Sequence, residues 1–445
     1  MDVTKTLKIP IHYGTTKHKT DILERLTARI SFCICLISEL VEKAVMADFD
    51  GFELDRPTVR KLVKCSDVVE RTGMSAGFVD QCIDKVVWEW KSYKTHHHKW
   101  ESSLDSFLKT FDKTEDPEVR LENLLKREPE PPDFTGNKVP CRIDVRTGKV
   151  WFSESSSFSP LWMNISTLKK QKTIDVPLNP CKYHLKWLKK SEIRDFELVK
   201  FEGKFFANVS IRYTVEDREP SSIGGLDQGL NITGAIVLLP NPEDKCQIPV
   251  ERIVTDEKRR EVVFKYEEIR ASLQRAGNLR KLKKLRHKIH NVAVDYDRHL
   301  AIKIADETEG SYLAIGDARF RQTQFRGNGM PTLRKDICKW AYGRQRTLIA
   351  LKRAERGDTT VLKDEYMTSK IHHECGSRYT VRKYAVGQDG MKFSYLICYN
   401  CGAKIDADIN AAYNIALRCR DDRLKAQMKG SKKPLSVQNG YPSIY

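Results

Sequence analysis

Hydrophobic and polar residues repeat with two different periods in the first third of the chain. The opening segment TKTLKIPIHY alternates as a strand does. From Asp21 to Ala47 the apolar residues return at helical spacing, and a second helical tract runs from Phe78 to Leu125. The stretch EPEPPDFTGN follows, and its prolines and glycine end the helices. The pattern therefore predicts a strand, a helical insertion and a connector.

Strand patterns dominate after that connector. CRIDV, a Thr147-Gly148 turn and KVWFS are strand-like in composition. DFELVKF, the dipeptide Glu202-Gly203 and KFFANVSIRYTV predict a β-hairpin, because a two-residue turn joins two apolar alternating runs. The first half of the chain therefore reads as a β domain interrupted by a helical insertion.

The second half changes character after Pro220. SSIGGLDQGL and NITGAIVLL predict two apolar strands joined by a glycine-containing turn, and QIPVERIV predicts a third. Residues 257–306 predict a long helical stretch that turns at Gly277-Asn278. SYLAIGD, TLIALKRAERG, TTVLKDE and DINAAYNIALRCR complete the order β-β-β-α-β-α-β-α. This is the order of an RNase H-like fold, and the polar, basic tail from residue 421 is expected to be flexible.

The net charge of the chain indicates what kind of partner it binds. The chain has 78 Lys and Arg against 60 Asp and Glu, a formal net charge of +18, which favours nucleic acid over a basic protein whose charge only aids solubility. The polar face of the long helical stretch is dense in cations, for which we expect contacts to a nucleic-acid backbone. These cations are Arg275, Arg280, Lys281, Lys283, Lys284, Arg286 and Lys288.

Targeting signals and cysteine usage bear on location. The N-terminal residues lack a signal-peptide core, and the longest apolar run is too interrupted by polar residues to span a bilayer. Most of the 12 cysteines are scattered, which fits a reducing compartment better than a disulfide framework. We therefore expect a cytoplasmic or nucleoid location, or the nucleus in a eukaryote.

Four residues near the C-terminus have the spacing of a zinc knuckle. His372 and Cys375 form His-x2-Cys, and Cys398 and Cys401 form Cys-x2-Cys, spacings that let each pair reach one tetrahedral ion. His373 is a competing ligand. The alternative is a set of three free core cysteines. Because four protein ligands leave no open position, the predicted zinc is structural.

Acidic residues stand at the ends of predicted core elements. Two-metal phosphodiester cleavage needs convergent carboxylates. Asp227 ends the first core strand and Asp408 opens the last helix, although aspartates at such places also serve as caps. Residue 316 is glycine, and Asp317 should face away from the side to which residue 316 points. Glu365, at the end of the fifth strand, is therefore favoured as the third ligand, and if it is only an exposed acid the site is incomplete.

These motifs together resemble the TnpB family of transposon-encoded, RNA-guided nucleases, relatives of type V CRISPR effectors and Fanzor proteins. GLDQGLNITGAI is similar to the first RuvC motif, KDEYMTSKIHHECG to the segment that leads into the zinc knuckle, and CYNCGAKIDADINAAYNIA to the second cysteine pair and third RuvC motif. Ile315-Gly316-Asp317-Ala318 departs from the family's Ile-Glu-Asp-Leu. Glu365 stands where some TnpB and Fanzor lineages carry a relocated glutamate.

The resemblance implies an architecture of α/β plus α+β type, with an RNase H-like (RuvC) core, a zinc-knuckle insertion and an N-terminal β-barrel wedge domain interrupted by a helical recognition domain. The implied boundaries are 1–20 and 138–220 for the wedge or oligonucleotide-binding domain, 21–137 for the recognition insertion, 221–370 and 403–420 for the nuclease domain, 371–402 for a zinc-binding target-nucleic-acid-binding insertion, and 421–445 for a basic flexible tail.

The function implied by the resemblance is that of a transposon-associated, RNA-guided DNA endonuclease. Its cofactors would be magnesium in a two-metal site held by Asp227, Glu365 and Asp408, with Asp317 as the alternative acid, and a structural zinc. Its partners would be a guide RNA and double-stranded target DNA, with no membrane and a monomer favoured. Three alternatives stay open: a nuclease-dead, RNA-guided DNA-binding repressor, a compact CRISPR type V effector, and a protein-only zinc transcription factor.

Overall fold

The chain folds as two compact units. One unit comprises Thr4–Tyr213, and the other comprises Met1–Val3 together with Thr214–Tyr445. Each unit has its own buried apolar side chains. The computed structural model describes residues 1–113, 116–135, 139–169, 171–229, 232–240, 248–317, 340–386 and 392–428.

The long helices of the first unit, α1 and α4, each bury an apolar stripe. In the first helix Leu23, Leu26 and Ile30 recur at helical spacing and are all buried. The Thr16 side chain caps that helix by accepting a hydrogen bond from the backbone N–H of Lys19. The helices are α1 (Lys17–Ala47), α2 (Arg56–Lys64), α3 (Val68–Thr72), α4 (Ala76–Leu108), α5 (Pro117–Leu125) and α6 (Lys182–Leu188).

Strands of the first unit form a four-stranded and a three-stranded sheet, in the orders β1-β7-β6-β2 and β3-β4-β5. The predicted hairpin is confirmed: β6 and β7 pair antiparallel, and positive φ angles at Glu202 (47°) and Gly203 (78°) make the tight turn. The strands are β1 (Asp2–Pro10), β2 (Cys141–Ile143), β3 (Gly148–Phe152), β4 (Leu161–Ser166), β5 (Thr173–Pro177), β6 (Glu192–Phe201) and β7 (Lys204–Thr214).

The predicted β-barrel is corrected by this arrangement. Within the described residues the two sheets stay open and meet at one bridge, between Ile11 and Leu178. CRIDV and KVWFS do not pair across their turn either, because β2 pairs with β6 whereas β3 pairs with β4. A barrel needs a continuous ladder of hydrogen bonds around its wall, and the two sheets described here do not form one.

A five-stranded sheet forms the centre of the second unit, in the order β10-β9-β8-β11-β12. The first three strands are antiparallel neighbours, while β11 lies parallel to both β8 and β12. The order of these elements along the chain is the one predicted for an RNase H-like core. The strands are β8 (Ser222–Asp227), β9 (Gly234–Pro240), β10 (Val250–Val254), β11 (Ser311–Gly316) and β12 (Thr360–Lys363).

Helices separate these strands where the sequence predicts them. Gly277 (φ 63°) lies in the turn between the two long helices, and Gly357 (φ 84°) follows the next one. Among the helices described, none combines the length and apolarity that a bilayer crossing requires. The helices are α7 (Glu257–Arg275), α8 (Leu279–Glu307), α9 (Tyr342–Ala354) and α10 (Ala407–Met428).

A small antiparallel sheet lies in the sequence between β12 and α10. It comprises β13 (Thr380–Val386), β14 (Lys392–Cys398) and β15 (Lys404–Asp406), in the order β13-β14-β15. The tail predicted from residue 421 is corrected in part, because α10 continues to Met428. Residues 429–445 lie outside the described part of the chain.

Helix α10 packs closely against β8 at Gly225. A Cβ atom at this position would collide with the carbonyl oxygen of Ala412 and lie 2.7 Å from the backbone nitrogen of Ala416. Both neighbours are helix backbone, which cannot rotate away as a side chain could. A residue without a side chain is therefore required here for the helix to approach the sheet.

We expect Gly225→Ala to lower the free energy of unfolding of the second unit by about 1–3 kcal/mol, the usual cost of overpacking a core. Gly343→Ala is the matched control, because a Cβ atom there meets nothing within 4 Å. Thermal and denaturant unfolding of both variants checks this. Equal stabilities for the two variants would contradict the proposed close packing.

Candidate active site

Two acidic residues lie at one edge of the five-stranded sheet. The parallel strands β8, β11 and β12 have their carboxyl ends at the same edge, with Leu226 in register with Ile315 and Gly316 in register with Lys363. Asp227 is the last residue of β8, and Glu365 follows β12 by two residues. The sheet topology therefore places these two carboxylates on either side of the end of β11.

Asp408 reaches the same edge from the first turn of α10. The cap of that helix is Asp406, whose Oδ1 accepts hydrogen bonds from the backbone N–H groups of Asp408 (2.8 Å) and Ile409 (3.0 Å). The capping role that the sequence left open for Asp408 thus belongs to Asp406. The carboxylate of Asp408 is free of that role and is largely buried by its surroundings, with 19% of the side chain exposed.

Glu365 fills the space that a side chain at position 316 would occupy. A Cβ atom on Gly316 would collide with Glu365 Oε1 and lie 2.6 Å from its Cδ and Cγ atoms. Within the described residues, Glu365 Oε1 is buried and accepts no hydrogen bond. A buried carboxylate oxygen without a donor is costly, and a bound cation would satisfy it.

Electrostatics show that these acids interact. Burial raises the pKa of Asp227 well above its usual range, and the charges of Glu365 and Asp408 raise it further. Burial also raises the pKa of Glu365 to about 7, and burial raises the pKa of Asp408 against the lowering effect of Arg382. Burial and mutual repulsion therefore disfavour the charged forms of these acids, and a bound cation would offset both effects.

Two arginines supply part of the counter-charge. Arg382 on β13 donates to Asp408 Oδ1 at 3.0 Å, and Arg346 on α9 donates to Asp317 Oδ1 at 2.7 Å. Sequence reasoning missed both arginines, because each acts on an acid distant in sequence. Asp317, the alternative acid, is thus engaged by an arginine, while its backbone N–H continues the ladder to Lys363 at 2.7 Å.

The three favoured acids are neighbours without being tightly gathered. In the part of the chain that the structure describes, their oxygens do not form a set lying within 4.8 Å of one another. Oxygen-rich acids of this kind suit magnesium, which also keeps water molecules as ligands. The donor set and the buried, unpaired oxygen of Glu365 fit that ion.

The four predicted zinc ligands do lie together. The ligand atoms of His372, Cys375, Cys398 and Cys401 are all within 4.8 Å of one another. His372 Nδ1 is 3.2 Å from Cys375 Sγ and 3.4 Å from Cys401 Sγ, and the sulfurs of Cys375 and Cys398 are 3.6 Å apart. These sulfurs are too far apart for a disulfide. Three sulfurs and one imidazole nitrogen around one point fit a tetrahedral zinc ion.

Backbone N–H groups near the second cysteine pair lower the pKa of Cys398. Burial works to raise the pKa of Cys398, but the backbone N–H groups of Cys401 and Asn400 lower it to about 7. Gly376 (φ 66°) and Gly402 (φ 73°), each directly after a cysteine, adopt the left-handed conformation that such tight turns need. The thiolate is the form that binds metal, so these turns favour ligation.

His373, the competing ligand, has a different environment. Its backbone N–H donates to Asn410 Oδ1 at 3.0 Å, and its ring stacks on Tyr413 with the centroids 4.0 Å apart. Asn410 and Asn414 in turn donate to the carbonyl oxygen of Ile371 at 2.8 and 2.7 Å. These contacts, which sequence reasoning missed, anchor the start of the knuckle to α10.

The seven predicted nucleic-acid-binding cations lie on the α7–α8 hairpin. Each of their side chains is exposed, and Lys288 Nζ lies 5.6 Å from the ring centroid of Tyr266. The exposure leaves these side chains accessible to a polyanion, and their contact with nucleic acid stays a prediction.

Comparison with known families and structures places this arrangement in context. Residues 342–415 match the family described as Cas12f1-like, TNB domain. That match covers α9, β12, the knuckle and the start of α10. A comparison with curated protein sequences finds no match.

Two solved structures of low sequence identity share the fold, and a third is similar over most of its length with a lower TM-score. Alicyclobacillus acidoterrestris C2c1 in complex with single-guide RNA matches with a TM-score of 0.53 and 9% identity, over 94% of this chain and 88% of that one. The mini-RNA-guided endonuclease CRISPR-Cas_phi3 matches with a TM-score of 0.50 and 10% identity, over 98% and 93%. A Cas12f1–sgRNA–target DNA complex is 15% identical over 93% and 99%, with a TM-score of 0.32. The predicted resemblance is thus confirmed for the TNB segment and for the fold.

We expect Cys398→Ser to lower the zinc content of the purified protein from about one ion per chain to a small fraction, since a structural site needs all four ligands. Elemental analysis of the dialysed protein measures this. Cys65→Ser is the control, because Cys65 is an exposed free cysteine outside the cluster. Full zinc content in Cys398→Ser would contradict the assignment.

Proposed function

We propose that this protein is an RNA-guided DNA endonuclease that cleaves target DNA at a magnesium-dependent, RuvC-type site. The observation that carries the proposal is the position of Glu365. Its carboxylate occupies the space above Gly316, and its buried Oε1 accepts no hydrogen bond within the described residues. A glutamate relocated to the next strand thus supplies the acid that position 316 lacks.

The chemistry follows from the acids that surround this point. Asp227, Glu365 and Asp408 would hold magnesium, which when bound stabilises charge on the attacking and leaving oxygens of a phosphodiester. The residues themselves provide largely buried carboxyl groups at the sheet edge. Asp317 is the less favoured third ligand, because the Glu365 carboxylate already occupies the space above Gly316. Arg346 also engages the carboxylate of Asp317.

The proposed partners are a guide RNA and target DNA. The net charge of +18 suits nucleic acid, and the C2c1 and Cas12f1 structures compared above are complexes with single-guide RNA, the latter also with target DNA. In such a system base pairing with the guide supplies sequence specificity, and the protein contacts the sugar-phosphate backbone of the RNA–DNA heteroduplex. We propose that the exposed cations of the α7–α8 hairpin contact the phosphate backbone of the nucleic acid. Residues 371–402 are proposed to contact the target DNA.

A second candidate function is an RNA-guided DNA-binding repressor without nuclease activity. Gly316 favours it, because the acid usual in the second motif is missing there. The position of the Glu365 carboxylate in the space above Gly316 favours the nuclease instead. A transposon or a CRISPR context is distinguished by the neighbouring genes, transposon ends in one case and a repeat array in the other.

Asp227→Asn is expected to lower the rate of guide-directed DNA cleavage by more than about 100-fold. Loss of a group that only supports a metal ligand costs up to about 100-fold, and loss of a ligand itself should cost more. The protein is purified with its bound RNA and assayed with magnesium on DNA that matches the guide. Guide-dependent DNA binding should persist, because the substitution removes charge from the cleft only. Cleavage at the wild-type rate would rule out the assigned site.

Glu365→Gln is expected to abolish cleavage to a similar degree, whereas Asp317→Asn should retain most of it. The physical reason is that Glu365 Oε1 is unpaired and buried while Asp317 is bound to Arg346. Both variants remove one negative charge, so the pair separates the roles of the two acids. The reverse result would assign the third ligand to Asp317.

Substitutions at position 316 test the role of Glu365 a second time, by restoring an acid to the same space. Gly316→Ala alone should impair cleavage, because its Cβ atom would displace the Glu365 carboxylate. Gly316→Glu combined with Glu365→Ala returns an acid to the same space and should recover part of the activity that Glu365→Ala loses. Failure of the double variant alongside full activity of Gly316→Ala would refute the relocated glutamate.

A further inference from the structure

Five aromatic rings form a continuous strip on the first unit. We call Tyr13, His12, Phe158, Trp162 and Trp151 the aromatic strip. Successive ring centroids in that order lie 4.3, 4.2, 6.4 and 6.4 Å apart. The rings come from the loop after β1, the loop between β3 and β4, and the two strands themselves, so that only the folded chain brings them together.

The strip lies on the solvent side of the three-stranded sheet. Trp151 and Trp162 are opposite each other in register on β3 and β4, while the alternate residues of β4, Leu161 and Met163, are fully buried on the other face. Tyr13 is 89% exposed, Phe158 46% and Trp151 36%. Large aromatic rings that are contiguous and exposed mark a binding surface.

The rings are held in place although they are not covered. Gly14 allows the close approach of Phe158, since a Cβ atom there would lie 2.5 Å from its Cζ. The indole N–H of Trp162 donates to the carbonyl oxygen of Ser159 at 2.9 Å, and the Ser159 hydroxyl donates to that of Leu178 at 2.6 Å. A ligand that stacks on these rings would therefore find them already ordered.

Cations accompany the strip. Lys19 Nζ lies 5.7 Å from the ring centroid of Trp162. The first turn of α1, which begins four residues after Tyr13, contains Lys17 and no acidic residue. Lys149 is exposed two residues before Trp151 on β3, and side chains two apart on a strand share a face. Flat apolar rings beside positive charge fit a ligand that has flat rings and negative charge, as unpaired nucleotides do.

We propose that the aromatic strip binds unpaired nucleotides of RNA by stacking their bases. This inference rests on the proposed RNA partner and deepens it by assigning a site. Duplexes are excluded as ligands because their bases are already stacked on one another. RNA is favoured over DNA because the loop that carries Phe158 also exposes the hydroxyls of Ser155 and Ser157, which suit a 2′-hydroxyl that both donates and accepts.

The test measures binding of a fluorescently labelled, unstructured CAA-repeat RNA to the full chain freed of bound nucleic acid. Tyr13→Ala combined with Trp151→Ala should weaken binding by about 10-fold or more, since each base–aromatic stack contributes substantially to affinity. The slope of log affinity against log salt should not change, because no phosphate contact is lost. Trp88→Ala is the control, as Trp88 is an exposed ring (62%) on α4 outside the strip, and its affinity should stay within about twofold of wild type.

Conservative variants and other nucleic acids complete the test. Tyr13→Phe with Trp151→Phe keeps the rings and should bind as wild type does, which separates loss of stacking from misfolding. The same sequence as DNA or as duplex RNA should bind more weakly. Wild-type affinity in the alanine variant, equal binding of DNA or duplex, or no binding of the RNA by wild type would overturn the strip as an RNA site. DNA cleavage by the wild type is scored separately, so the endonuclease proposal stands or falls on its own result.

Discussion

The close contact of α10 with β8 is the constraint on which the candidate site depends. Gly225 has no side chain, so the backbone of the helix can lie against the strand. Asp408 at the start of the helix thereby comes near Asp227 at the end of the strand, and its charge helps to raise the pKa of Asp227. The same helix holds the knuckle through Asn410, whose side-chain amide donates to the carbonyl oxygens of Thr368 and Ile371. One packing contact thus positions both an acid and the segment that leads into the knuckle.

Acidic side chains close together at one edge of a sheet repel each other. Arginines from other elements offset part of this repulsion. Arg382 comes from the knuckle sheet to Asp408, and Arg346 comes from α9 to Asp317. Glu365 alone retains a buried oxygen without a donor among the acids of this edge that the structure describes. The balance of charge at this edge is therefore a property of the whole unit, because it depends on which acids the arginines reach.

Much of the fold and part of the site could be predicted from local patterns. The β6–β7 hairpin follows from the two alternating apolar runs and from Gly203 between them, since glycine adopts the positive φ of a tight turn without steric cost. The spacing of Cys398 and Cys401 places two sulfurs on one side of a turn, and the structure brings the other two ligands to them. The open sheets of the first unit were not predictable in this way, because a strand's pattern specifies which face is buried and not which strand it joins.

By itself, the sequence determined the long helices, the strands of the second unit, the β6–β7 turn and which residues can act as ligands, because these depend on neighbours along the chain. It did not give β4, β5 or α6, and the helical tract predicted from Phe78 to Leu125 is divided into α4 and α5. Only the tertiary structure decided that β2 and β3 belong to different sheets, that Asp406 rather than Asp408 caps α10, and that Glu365 occupies the space above Gly316. Each of those outcomes is a contact between residues whose approach is set by sheet register and helix packing, and no local pattern of side chains encodes that approach.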